Sequence, residues 1–171
     1  MSWTDLLDRT LAVASARWAL VSSFAVAFAS WLLLAGLAPG MVGGPLLDLY
    51  FMPDAAAARL AEMSIDLRFG HAALTLVVDS MFPIAYGFLA LGVIGRIGPR
   101  ARGLAWLPVL LVGFDFAENF FQIVALAGFP AALAPKMLIT PIKFAGAIYT
   151  VLMIAAYYLW AKLEGFEWPE P

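Results

Sequence analysis

The stretch "GFDFAENFF", Gly113 to Phe121, places two carboxylic acids and an amide inside an otherwise apolar run. Asp115, Glu118 and Asn119 stand at i, i+3 and i+4, so on a helix they project from one face. Acids grouped in this way suit proton transfer, because one carboxyl held protonated can donate while its neighbour accepts. Two further apolar runs supply partners. "DSMFPIAYG" carries Asp79 and, two turns on, Tyr86; "PIKF" carries Lys143, with Thr150 following on the same face. On this pattern Glu118 is the candidate acid, Asp79 the partner carboxylate and Lys143 the group that tunes both. Asp115, Asn119, Tyr86, Phe114 and Phe121 are candidate ligand contacts, and Phe116 and Phe120 are also placed to line a cavity.

The elements that must position these residues are membrane spans. Of the 171 residues 64% are hydrophobic and 13% charged, and the mean hydropathy is +0.91, which excludes a water-soluble globule. A span needs about 20 mostly apolar residues, and four runs qualify: 18–37, 72–95, 104–128 and 137–160. The first exceeds the usual signal-peptide core and the chain starts at Met1, so a retained helix is expected. The expected architecture is an all-α, integral membrane four-helix bundle forming one domain over 1–171, with a short amphipathic helix over 54–69 between spans one and two. Asp54 is the expected cap of that helix and Gly70 its end. Arg59, Glu62 and Asp66 share its polar face, so it is read as a lid on the bundle or the membrane surface.

By a rise of 1.5 Å per residue, Lys143, Asp79 and Glu118 lie about 10, 12 and 15 Å below the non-cytoplasmic end of their spans, and Asp115 about 20 Å. They meet in one layer opening toward that face. Each Asp or Lys at a span centre costs about 2.5 to 3.5 kcal/mol, so four ungathered charges cost on the order of 10 kcal/mol. Three acids and one lysine do not neutralise one another. Either one or two carboxyls stay protonated, or a cation or ligand group completes the balance. Pro83, four residues after Asp79, removes the helical partner of the Asp79 carbonyl, and Pro141 does the same at Met137 near Lys143. Polar residues between spans also act as interhelical glue, the plain alternative for Asn119, Tyr86 and Thr150. Span one, with Ser22, Ser23, Ser30 and Trp31, is a wall rather than a source of acid or base.

Basic residues outside the spans set the orientation. Arg9, Arg17, Arg96, Arg100, Arg102 and Lys162 fall on one side, against Arg59, Arg68 and Lys136 on the other. That bias places both termini in the cytoplasm, in a bacterial inner membrane. Trp160 and Trp168 are read as interfacial belt residues. A net charge of −2 without a basic cluster argues against a nucleic-acid partner. Zero cysteines exclude disulfides and thiolate chemistry. His71, the one histidine, sits at the start of span two outside any HxxxH or ExxH pattern, so it is read as interfacial and no metal site is expected. Arg68 is placed to reach the acids from the lid helix. Ser80 has no matching histidine for triad chemistry, and "DFAEN" is not a diphosphate motif with its Mg²⁺. The sequence names no cofactor.

The combination "DSMFPIAYG", "FDFAENF" and "PIKF", with "DLRFGHA" ahead of it, resembles a pattern in small bacterial four-span membrane proteins that are uncharacterised, over roughly residues 68–150. The resemblance implies a four-helix membrane bundle and marks Asp79, Pro83, Tyr86, Asp115, Glu118, Asn119 and Lys143. It brings no activity with it.

Three function classes remain open. The first is a site for a lipophilic small molecule or membrane lipid, extending to an acid-base enzyme acting on a lipid or isoprenoid. The second is a structural or assembly subunit beside a membrane protein partner or in a homo-oligomer. The third is proton or cation transport, which demands an oligomer and water access from both sides, and the apolar cytoplasmic halves of the spans count against it.

Overall fold

The computed structural model describes residues 2–164, and every regular element among them is helical. Helix α1 is Trp3–Ala14, α2 is Arg17–Met41, α3 is Pro53–Glu62, α4 is Ile65–Ile97, α5 is Pro99–Leu126 and α6 is Pro130–Leu163. Helices α2, α4, α5 and α6 contain 25, 33, 28 and 34 residues and are apolar enough to cross a bilayer. The chain is an integral membrane protein with an all-α, four-helix core. Its spans run further than hydropathy alone indicates. Trp168 lies outside the described residues.

Helix α1 was not among the expected elements, yet its start is well specified. Ser2 Oγ accepts the Asp5 N–H at 3.1 Å while Asp5 Oδ2 accepts the Ser2 N–H at 2.9 Å, a reciprocal cap. Its far end tucks against α4 at two glycines. A Cβ on Gly92 would stand 2.3 Å from the Ala14 carbonyl oxygen, and one on Gly95 2.8 Å from that of Leu11. Only glycine permits this approach, which buries Leu11 and Ala14 against Leu91, Ile94 and Ile97. Arg96 Nε fastens the same corner by donating to the Ser15 carbonyl at 3.0 Å.

The spans pack in series: α2 on α4, α4 on α5, α5 on α6, with a lesser contact between α4 and α6. Helices α2 and α6 make no comparable contact, so each turns a broad apolar face outward. Trp18, Phe24 and Trp31 on α2, and Leu138, Ile148 and Val151 on α6, are exposed. In a bilayer these faces meet lipid.

Between α2 and α4 the chain forms a lid over one end of the bundle. It turns at Gly43 and Gly44, where φ is 69° and 143°, backbone that favours glycine. The lid helix differs from the expected 54–69 in both bounds. It starts at Pro53 with Met52 as its cap residue and no side-chain cap, so Asp54 is inside the first turn rather than capping it. It stops at Glu62 because Arg68 donates to the carbonyls of Leu60 at 2.8 Å and Met63 at 3.2 Å, satisfying the helix end. Ser64 then accepts the Leu67 N–H at 3.3 Å and starts α4, so residues 65–69 belong to a span and Gly70 ends nothing. The shared polar face of Arg59, Glu62 and Asp66 is also absent: Glu62 and Asp66 are exposed, while Arg59 is buried and donates to the carbonyls of Val42 at 2.7 Å and Pro45 at 3.4 Å. Leu47, Leu60 and Met63 of the lid pack on Leu74, Leu126 and Met137 of the spans.

Two of the spans contain π-helical turns, Leu33–Leu37 in α2 and Thr75–Asp79 in α4, and the two turns touch. Such turns are frequent at functional sites. The second ends at Asp79 just ahead of Pro83, and Ser80 Oγ donates to the Thr75 carbonyl at 3.0 Å within the disturbed ladder.

Candidate functional site

Helix α5 contributes a polar stripe. Asp115, Glu118, Asn119 and Gln122 are all buried on one face, with the spacing that a helix gives to residues three, four and seven apart. Helix α6 answers with Lys136, Thr140 and Lys143 on its own stripe, and α4 with Thr75, Asp79 and Tyr86.

Glu118 is the hub and is fully buried. Its Oε1 accepts from Lys136 Nζ at 3.0 Å and from Thr140 Oγ1, and its Oε2 pairs with Lys143. Lys143 also lies 3.0 Å from Asp115 Oδ1 and 5.4 Å from the centre of the Phe144 ring. Tyr86 donates to the other oxygen of Asp115. The predicted residues Glu118, Lys143, Asp115 and Tyr86 are therefore in one network. Asp79 is within electrostatic reach of Lys143, Asp115 and Glu118, but its Oδ2 is buried without a hydrogen-bond partner.

Several residues enter the layer that the sequence reading left out. Lys136, assigned to an extramembrane loop, is fully buried and spends its three N–H groups on Glu118, Thr140 at 3.3 Å and the Leu47 carbonyl of the lid at 3.0 Å. Asp48 comes down from the lid beside Lys136 and Gln122, and burial pushes its carboxyl above the ordinary range against the opposing pull of Lys136. Gln122 Nε2 donates to Thr75 Oγ1 at 3.0 Å, and Asn119 Nδ2 to Ser80 Oγ at 3.4 Å. The sequence held one signal for two of these: Lys136 precedes Lys143 by seven residues, and Gln122 follows Asp115 by seven.

Other expectations are corrected. The layer does not open toward the lid end, because Leu47 and the apolar residues around it cover it there. His71 is not interfacial. It is fully buried beneath the lid, within reach of the Arg59 and Lys136 charges, with neither ring nitrogen partnered. Arg68 does not reach the acids, since its guanidinium closes the lid helix. Thr150 bonds its own helix at the Gly146 carbonyl, 2.8 Å away. Phe114, Phe116 and Phe120 point outward, and Phe121 is half-buried with its ring edge against Phe120. They flank the stripe instead of lining a cavity on it, because neighbours on a helix are turned by about 100° from one another.

Two grooves lie away from the layer. One of about 280 Å³ is bounded by Ser22, Ser23 and Val26 of α2 and by Met81, Ile84 and Phe88 of α4. By helical periodicity it is on the face of α4 opposite Asp79 and Tyr86. The other, about 240 Å³, lies by Arg100, Tyr157 and Trp160 at the far end of the bundle. Among the described residues no three His, Asp or Glu side chains converge as a metal ion would need. No protein-family model, curated protein or solved structure matches the chain.

Proposed function

We propose that the buried layer binds the polar head of a lipophilic small molecule at Asp79 and carries out acid-base chemistry there. The single observation behind this reading is the contrast among the carboxyls. Glu118 is saturated by Lys136, Lys143 and Thr140, and Asp115 by Lys143 and Tyr86, whereas Asp79 keeps a buried oxygen with no partner. A buried acceptor left unpaired costs about 1–3 kcal/mol, so the position favours a group that donates to it.

The roles therefore change from those the spacing suggests. Glu118 is fully buried and holds both lysines in place through its two oxygens, so it is a positioning residue. Asp79 exchanges the proton with the ligand, and Asp115, held by Tyr86 and Lys143, is the neighbouring carboxylate whose charge bears on it. Asp79 is half-buried, and Leu76, three residues before it and near its face of the helix, is exposed, which favours entry sideways from the lipid. A lipid or isoprenoid is the matching class of substrate. The excess of arginines at the end bearing Arg96, Arg100 and Arg102 supports cytoplasmic termini in a bacterial inner membrane. The motif-level resemblance to bacterial four-span proteins agrees with that placement.

Native mass spectrometry of the mildly solubilised protein, with Asp79→Asn and Glu118→Gln beside it, tests the reading. A small molecule held by the wild type and lost from Asp79→Asn supports it. A structural subunit is the second reading, favoured by the unpaired outer faces of α2 and α6. It predicts stoichiometric partner chains and no retained small molecule.

A further inference from the structure

The layer and its lid hold four carboxyls, from Asp48, Asp79, Asp115 and Glu118, and two ammonium groups, from Lys136 and Lys143. Asp48 and Asp79 are within electrostatic reach of each other, and each has a buried oxygen without a partner, Oδ1 and Oδ2 respectively. The third buried cation, Arg59, is occupied by lid carbonyls. With all four carboxyls ionised, negative charge exceeds positive by two.

Hydrogen-bonding capacity is unbalanced in the same direction. The donors of Lys136, Thr140, Tyr86 and Ser80 are taken, and Lys143 serves two carboxylates. The unpaired atoms are acceptors: beside the two carboxyl oxygens they include Asn119 Oδ1 and Gln122 Oε1, on side chains 3% and 0% exposed. The spare donors are the second amide N–H groups of Asn119 and Gln122 and the N–H of His71, which is two turns away toward the lid. A neutral carbonyl or an acidic head would bring more acceptors into a site that already has too many. A hydroxyl brings one donor and no charge. A primary ammonium brings three donors and a positive charge, and its charge-assisted bonds to carboxylates are the stronger kind.

We infer that the head group taken at Asp79 is a protonated amine on an apolar tail. The inference rests on the reading of Asp79 as the ligand contact. Lys143 and Lys136 are engaged by Glu118 and Asp115, so neither is bonded to the free oxygen of Asp79. Asp48 adds a second unpartnered carboxyl oxygen from the lid side, and the exposed apolar side chain of Leu76 accommodates the tail.

The test uses the full chain in phosphatidylcholine nanodiscs, incubated separately with dodecylamine, dodecanol and dodecanoate, with retention read by native mass spectrometry. Dodecylamine is expected to bind one per chain with a Kd about tenfold or more below that of dodecanol, and dodecanoate not to be retained. Asp79→Asn, nearly the same shape, abolishes the preference, and Asp48→Asn weakens it while keeping Asp79. Equal retention of dodecanol, or better retention of dodecanoate, overturns the amine head and leaves Asp79 as a ligand site. Retention of none of the three overturns both readings. Unchanged dodecylamine binding in both variants overturns the inference as well, because the amine then sits elsewhere.

Discussion

Lys136 Nζ and Glu118 Oε1 meet 3.0 Å apart with both side chains fully excluded from the surface. The same ammonium donates to the Leu47 carbonyl, so this one pair joins α5, α6 and the lid. Two charges removed from solvent are held by geometry rather than by any large net gain, and removing one partner strands the other.

Lys136→Met is accordingly expected to destabilise the protein by about 3–5 kcal/mol. Glu118→Gln, which leaves two lysines facing an amide, is expected to cost a similar amount. The double variant Lys136→Met with Glu118→Leu recovers part of the loss but leaves Lys143 with Asp115 alone. Denaturation midpoints of the two singles and the double in one detergent give the coupling. Additive costs would mean that the pair does not act as a unit.

Asp48 makes the lid pH-dependent. Burial raises its folded-state pKa above the unfolded value, so its contribution to lid stability is fully present below the ordinary carboxylate range and is lost as pH rises through the raised folded value. Hydrogen exchange in residues 42–64 should therefore speed up, beyond its intrinsic pH dependence, from acid toward alkaline conditions. Asp48→Asn should flatten that profile. A lid that loosens on acidification would reverse the assigned sign.

Arg59 fixes the lid turn through the Val42 and Pro45 carbonyls, and its guanidinium stands 3.2 Å from where a Cβ on Gly44 would be. Arg59→Met should cost about 1–3 kcal/mol by leaving buried carbonyls unpaired. Gly44→Ala should also destabilise, since φ there is 143°. Protease cleavage within 42–52 reads both, and uncleaved variants would show that the turn is held by other contacts.

Gly92→Leu should expel α1 from its seat, because even a Cβ there would collide with the Ala14 carbonyl. The stacked Trp3 and Trp106 rings, 5.3 Å apart, should separate. Tryptophan emission and exchange protection of residues 3–14 measure this. The same Cβ would stand 2.5 Å from Leu20 Cδ2 of α2, so the start of that span should shift as well while α5 and α6 keep their packing.

The apolar runs declared the four spans, and the helical spacing of Asp115, Glu118 and Asn119 declared a shared buried face. Those are local signals, and local patterns carried them. Lys136 was misplaced because a lysine after "GFPAALAP" reads as a water-facing residue; what buries it is the Leu47 carbonyl, 89 positions earlier in the chain. Asp48 and His71 escaped for the same reason, since only the fold of the lid brings them under cover. The aromatic residues beside the acids illustrate the opposite fault. Phe114 and Phe116 adjoin Asp115 in sequence, and adjacency on a helix turns side chains apart.

The π turn at Thr75–Asp79 carries one residue more than a plain α-helical path requires. Loss of a single residue there would tighten the turn and rotate everything before it by about 100° against everything after it. Thr75 would swing away from Gln122 while Tyr86 kept its hold on Asp115. The two halves of the polar layer are thus set in phase by one inserted residue, and deletion of a single codon would undo that register.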